Sequence, residues 1–283
     1  MNARHLLALA AALACSQARA LEPALEFDGT DDAATCGTAI SNFDKDTNWS
    51  VLFIANVNNY DEANNSYLVG VSRDTTADGH QLWFRNNVAT DQLRVYNNSS
   101  QITSMESSAA TAGTFFIHVL RNTGSGTSLR WQIFNLAGTQ QATITSTGWN
   151  ADVTTPLRFT LGNIWTDGTT WLSTGYFDGR ISHVTVLDGE TLSDGDVSAW
   201  VADPVNTGNG WIASKSSTLK LWLQDASDIS GGAIQDYSPA NNDCTIVGGT
   251  TFTASGPNIP ALTASGGGPP FGGPFRGPFG GPF

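Results

Sequence analysis

The sequence predicts an all-β protein, with antiparallel strands stacked as a sandwich or barrel, and three observations carry that reading. Short runs of alternating apolar and polar residues recur along the middle of the chain, each bounded by Asn, Gly, Asp or Ser. Strands this short and this closely spaced suit hairpins rather than parallel βαβ units. Composition agrees: of 283 residues, 40% are hydrophobic and 13% charged, with 14 Phe and 9 Trp, which is too apolar for a disordered chain. One segment alone reads as a helix. All-β sandwiches of this size often form a single domain, so residues 21–262 are expected to be one unit.

The first twenty residues read as an export address. Arg4 and His5 give a basic start, and Leu6 to Ala14 form an apolar stretch too short to span a bilayer. Ala18-Arg19-Ala20 then fits an A-x-A cleavage site. Residues 1–20 are therefore expected to be a signal peptide, and the protein to be secreted or held at a cell surface. Cys15 is an alternative lipidation site, although Leu13 stands where a small residue is usual. Losing Arg4 and Arg19 would take the net charge from −12 to −14. So acidic a surface repels nucleic acid and anionic lipid and favours cations.

Alternation predicts strands over Trp49 to Val57, Ser66 to Val71, Gln81 to Arg85, Leu93 to Asn97, Phe115 to Arg121, Ser128 to Phe134, Ala142 to Ser146 and Leu157 to Leu161. Arg130, Gln132 and Asn135 alternate with Trp131, Ile133 and Leu136, as in a sheet with one wet face. In the strand from Phe177 to Val186 the apolar phase changes between Ile181 and Val184, which predicts a bulge. His183, a lone strand histidine, is assigned no role. The helix follows. Ser193 caps it, Asp196 completes a capping box, and Val197, Trp200 and Val201 make an apolar stripe that Asp203-Pro204 ends. Trp131, Trp200 and Trp222 fall within apolar patterns and are assigned to the core.

Two stretches carry a resemblance. Ala24-Leu25-Glu26-Phe27-Asp28-Gly29-Thr30-Asp31-Asp32 opens the domain. Gly175 to Leu187 follows much later and runs into Leu192-Ser193-Asp194-Gly195-Asp196-Val197. Together they resemble the laminin G-like, or concanavalin A-like, jelly-roll domains, and Leu219 to Leu223 with Asp236 to Thr245 resemble a strand and turn usually found ahead of the opening strand. The resemblance touches residues 24–250 and implies a two-sheet antiparallel jelly-roll sandwich, a fold used more for holding sugars and surfaces than for reacting with them. It also implies that the first and last strands are neighbours, which would bring Cys36 to Cys244. An exported protein with an even cysteine count usually pairs them; two unrelated buried thiols are the alternative. Closing that 208-residue loop would restrict the unfolded chain by about 5 kcal/mol on the chain-entropy model.

Signs of catalysis are sparse. The five glutamates are Glu22, Glu26, Glu62, Glu106 and Glu190, and none pairs with another at the strand spacing that glycoside hydrolysis uses. H-E-x-x-H and G-x-S-x-G do not occur. The chain is therefore expected not to be an enzyme. Calcium suits oxygen ligands, and Asp28, Asp31 and Asp32 form the best cluster. The resemblance brings Asp178 towards them; turn-making Asp-Gly steps are the alternative. Sugar binding needs an aromatic platform beside polar groups. One loop, Asn163 to Tyr176, supplies Trp165, Asp167, Trp171 and Tyr176, and another, Asn56 to Ser66, supplies Tyr60 and Asp61.

Residues 263–283 are different material. Phe271, Phe275, Phe279 and Phe283 recur every fourth residue, each after a proline, in a glycine background that forms neither helix nor central strand. A disordered tail is expected, either inert or serving self-association. Two functions stay open: a secreted carbohydrate-binding or adhesion module without catalytic activity, with a glycan or surface polysaccharide as partner, and a structural subunit of a cell-surface layer, extracellular filament or virion appendage.

Overall fold

Backbone ladders join the alternating segments into two antiparallel sheets. This computed structural model describes residues 24–40, 47–58, 66–73, 80–87, 92–97, 100–122, 128–146, 157–164, 171, 175–204, 211, 214–223, 229–230, 232–248 and 251–253. The expected signal peptide and the Gly/Pro/Phe segment lie outside them.

The first sheet runs β10 (Gln140–Ser146), β9 (Leu129–Asn135), β8 (Phe115–Asn122), β3 (Trp49–Val57), β12 (Asp178–Asp188), β1 (Ala24–Asp28) and β17 (Thr251–Thr253), with β13 (Leu219–Leu223) also on β12. The second runs β14 (Ile229–Ser230), β15 (Ala233–Ile234), β16 (Cys244–Val247), β2 (Ala33–Ile40), β11 (Leu157–Leu161), β4 (Tyr67–Arg73), β5 (His80–Asn87), β6 (Gln92–Asn97) and β7 (Ser100–Ser107). The chain's late strands return to its first ones in both sheets, β17 onto β1 and β16 onto β2. Cys244 stands opposite Cys36 in the second ladder, and their sulfurs are bonded at 2.00 Å. Of the two readings of these cysteines, the disulfide is the one that forms.

The core between the sheets gathers alternate side chains from strands of both sheets. Phe53, Phe84, Trp131, Phe159 and Phe177 fill it. A second apolar cluster lies on the opposite face of the first sheet. There helix α1 (Asp194–Ala202) lays Val197, Trp200 and Val201 over Leu52, Ile54, Ile117 and Val119. Hence every residue of β3 is buried. The wet face expected around Gln132 is covered: Gln132 is buried, accepts from Arg121 Nη2 at 3.0 Å and donates to Gln140. Buried polar groups of this kind hold their places only when hydrogen-bonded.

Helix α1 starts where the cap residues require. Ser193 Oγ accepts from Asp196 N–H at 3.1 Å, and Ser193 N–H donates to Asp196 Oδ2 at 3.0 Å, the reciprocal box. Asp194 is salt-bridged to Arg121 and Arg130, tying the first turn to β8 and β9. Its carboxyl is held below the usual range, first by the hydrogen bond from Arg121. The expected bulge is present in β12, where Ser182 pairs with Ile54 but Thr185 pairs with Leu52. His183, at φ +51°, is the residue that takes the left-handed turn.

Replacing both Cys36 and Cys244 by serine is expected to preserve the sheet order and remove about 2–4 kcal/mol of unfolding free energy. Urea denaturation checks this; an unshifted midpoint would mean the crosslink contributes nothing.

Candidate functional site

Strand ends and turns meet at one end of the sandwich, and Asp28, Asp31, Asp32, Asn58 and Asp178 gather there. β1 ends at Asp28 and β12 starts at Asp178, paired with each other in the ladder. β3 ends beside them, Asn58 N–H donating to Asp178 O at 3.1 Å. Three more bonds stitch in the remaining segments: Gly29 N–H to Phe177 O, Tyr67 N–H to Gly175 O and Phe177 N–H to Gly162 O, all between 2.8 and 3.1 Å. The described flanks of both aromatic-bearing loops, 56–58 with 66–67 and 162–164 with 175–177, therefore meet the acidic turn.

The turn itself is shaped by side chain and glycine together. Thr30 N–H donates to Asp28 Oδ1 at 2.8 Å, an Asx turn, while Asp28 N–H donates to Asp32 Oδ2 at 2.9 Å. Gly162, at φ +78°, lies under it. A Cβ at that position would sit 2.8 Å from Asp32 O and 2.4 Å from the Phe27 ring. No side chain fits there.

Asp28, Asp31 and Asp32 each place a carboxylate oxygen within 4.8 Å of the others, with Asp32 buried and the other two exposed. Oxygens so grouped match the donor set of a hard divalent cation. Asp178 falls outside the group; its Oδ1 accepts from Asn58 Nδ2 at 2.7 Å. Its neighbour by ladder register is thus a partner by fold and not by convergence of carboxylates.

Among the sugar-binding candidates, Trp171 and Tyr176 are half-buried. Tyr60, Asp61, Trp165 and Asp167 lie outside the described residues. Asn58 is a contributor that the sequence reading passed over, because an asparagine in Asn58-Asn59 reads as turn-making and nothing local ties it to Asp178. The core assignment of Trp131, Trp200 and Trp222 holds, all three being buried.

Three glutamates are held in ion pairs away from one another. Glu26 meets Arg180 at 3.2 Å, Glu106 meets Arg94 at 3.1 Å, and Glu190 meets Lys215 and accepts from Thr218 Oγ1. Glu22 and Glu62 lie outside the described residues. No helix among the described residues is long and apolar enough to cross a membrane.

Such a sandwich, with its late strands folded back on its first, is a concanavalin A-like jelly roll. It is similar to the crystal structure of a candidate carbohydrate-binding protein from Bacteroides ovatus, at a TM-score of 0.55 and 16% identity over 83% of this chain. The match spans 60% of that protein, so the chain answers to less than two thirds of its length. It is also similar to the native heptameric SAP-like pentraxin from Limulus polyphemus, at a TM-score of 0.51 and 13% identity, covering 66% of this chain and 85% of that one. At such identities the likeness is one of fold. No family model and no curated protein sequence matches the chain.

A Gly162→Ala variant is expected to lose at least about 2 kcal/mol, from a left-handed alanine and from overpacking against Phe27. Thermal unfolding measures it; a wild-type melting temperature would mean that the turn gives way freely.

Proposed function

We propose that this chain is an exported carbohydrate-binding or adhesion module without catalytic activity, and that it holds its glycan at the loop-bearing end of the sandwich. The observation that carries the proposal is the convergence there of the acidic turn with the flanks of two loops rich in aromatic and amide side chains. Sugar rings offer a C–H face to an aromatic ring and hydroxyl edges to carboxylate and amide oxygens. Trp165, Trp171, Tyr176 and Tyr60 are assigned the first role, and Asp167 and Asp61 the second. Asp28, Asp31 and Asp32 are assigned to calcium, whose charge would offset theirs and leave open positions for sugar hydroxyls. Asp178, held by Asn58, would then steady the turn from the neighbouring strand. Binding without turnover accords with the ion-paired state of Glu26, Glu106 and Glu190, which hydrolysis would need free and facing one another. Export is supported by the disulfide, which persists in oxidising compartments.

A glycan array probed with the mature chain in calcium, in chelator, and as Trp165→Ala and Trp171→Ala variants tests the reading. Binding is expected to at least one glycan class, and to fall roughly tenfold or more for the variants, consistent with the loss of one aromatic platform of about 1.4 kcal/mol. An array with no binder, or binding indifferent to both tryptophans, would remove the loop-bearing end as the site.

A structural role is favoured by a different observation, the phenylalanines repeating at 271, 275, 279 and 283 after prolines. Aromatics repeated in this way, where solvent reaches them, would seek a partner surface, another copy included. Deleting residues 266–283 is expected to leave the melting temperature within a degree or so while reducing self-association seen by sedimentation. A truncated chain that melts several degrees lower would mean that the segment packs on the sandwich instead.

A further inference from the structure

The inner face of β8 carries a group that neither binding nor catalysis uses. His118 is 1% exposed in the middle of the aromatic core. Phe53 of β3 stacks on its ring with centroids 4.9 Å apart and planes at 20°, and Trp131 of β9 lies at 6.0 Å and 27°. Phe84, reaching across from β5 of the other sheet, closes the cluster at 6.4 Å. Among the described residues its Nδ1 has no hydrogen-bond partner.

We propose that His118 is an acid-sensitive latch between the two sheets: as a neutral ring it is part of the apolar seal, and in mildly acidic surroundings its demand for a proton loosens the sandwich. The geometry makes this a property of the site and not of histidine in general. Among the described residues, the ring contacts from β3, β5 and β9 are Phe53, Phe84 and Trp131, none of which carries charge or titrates. The other buried titratable groups among the described residues lie elsewhere. Arg121 turns to the opposite face of β8 towards Leu192 and Asp194, and Asp32 lies in the acidic turn. Asp188 ends β12, and Asp236 is held by Trp222, Ser238 and Asn242. The nearest in register is His183, in the bulge opposite Phe53 and so two strands from His118, where its Nδ1 meets Ser182 Oγ at 2.5 Å. Among the described residues no carboxylate is placed to hold an imidazolium in the core, so an added charge would be unpaired there.

Burial accordingly lowers the His118 pKa from 6.5 to about 3. The sign follows from linkage. Between those values the unfolded chain takes up a proton that the folded chain refuses, so stability is full above about pH 6.5 and falls as pH drops towards 3. Asp194 and Asp196 act later. Both are held below the ordinary 3.8, so the stability they contribute is lost only beneath that value. The window from pH 6.5 to 4 therefore separates the histidine from these carboxylates.

The test compares the full chain with its His118→Leu and His118→Phe variants by urea unfolding at pH 7.5 and 5.0. The unfolding equilibrium constant of the wild type is expected to rise about 30-fold more than that of either variant between the two pH values. An equal rise in wild type and variants overturns the proposal. Should neither variant fold, the His118 ring resonances of the wild type decide by NMR. A ring that stays neutral in the folded chain down to pH 4.5 supports the latch, and one that protonates above pH 5.5 without unfolding overturns it.

Discussion

Everything in this sandwich depends on the return of the last strands to the first. β1 and β2 open the described fold yet lie inside the sheets, so each would present an unpaired edge until β17 and β16 arrive. Bringing segments some 208 residues apart into register carries a large loop-closure cost, which grows only slowly with length once closure is demanded. The disulfide lowers that cost by restricting the unfolded chain at the position where β16 meets β2. Four further bonds gather around Asp236, whose carboxylate accepts from Trp222 N–H, Ser238 N–H and Oγ, and Asn242 N–H. Asn242 then donates to Lys220 O. This turn occupies the edge groups of β13 and delivers the chain to Cys244, so closure, edge protection and the crosslink form one construction.

The same closure makes the two faces of the first sheet unequal. One packs on the second sheet; the other is roofed by α1, whose cap, first-turn salt bridges and apolar stripe act together. Burying both faces leaves every residue of β3 out of water and forces Gln132 and Arg121 to find partners beneath the helix. Strand β12 answers the resulting geometry with its bulge. Its first half serves β1 and its second half β13, and one extra residue between them re-aims the strand without losing pairing to β3. Glycine works at the other end for a similar reason. Gly179 lets the Asn56 carbonyl approach to where a Cβ would be only 2.2 Å away.

Much of this was legible residue by residue where a local rule has one answer. β3 matches the alternation from Trp49 to Val57, and Ser193 and Asp196 announce the helix start through the capping box. The phase change from Ile181 to Val184 is the bulge. Strands without a periodic apolar signal escaped: β2, Ala33–Ile40, is built of small residues around Gly37, and β7, Ser100–Ser107, is nearly all polar. Both are recruited by their neighbours' ladders, a tertiary decision. The roof over the first sheet escaped for the same reason, since an alternation of Arg130 and Gln132 with Trp131 and Ile133 cannot announce a helix arriving from residue 194 onwards. At the candidate site the cluster of Asp28, Asp31 and Asp32 was readable because it is local, whereas the bond between Asn58 and Asp178 spans 120 residues and is visible only in three dimensions.

The end of the sandwich that gathers these residues is proposed to hold a ligand rather than to react with one. Catalysis on glycosides needs carboxyls free to exchange protons across a scissile bond, and the described glutamates are committed to Arg180, Arg94 and Lys215. Recognition instead needs groups that are fixed before the ligand arrives, so that little ordering entropy is lost on contact. The acidic turn meets that demand. Its backbone is held by Asp32 from within, by Gly162 from below and by Phe177 O from the side, and Gly248 approaches so closely that a Cβ there would lie 2.2 Å from Asp31 O. Carboxylates on a frame this rigid repel one another at fixed short range, which a divalent cation or a ring of hydroxyl donors relieves and an anionic ligand aggravates. On the proposed reading, the turn's geometry would bias this end towards neutral, hydroxyl-rich ligands or cation-bridged ones before any loop side chain takes part.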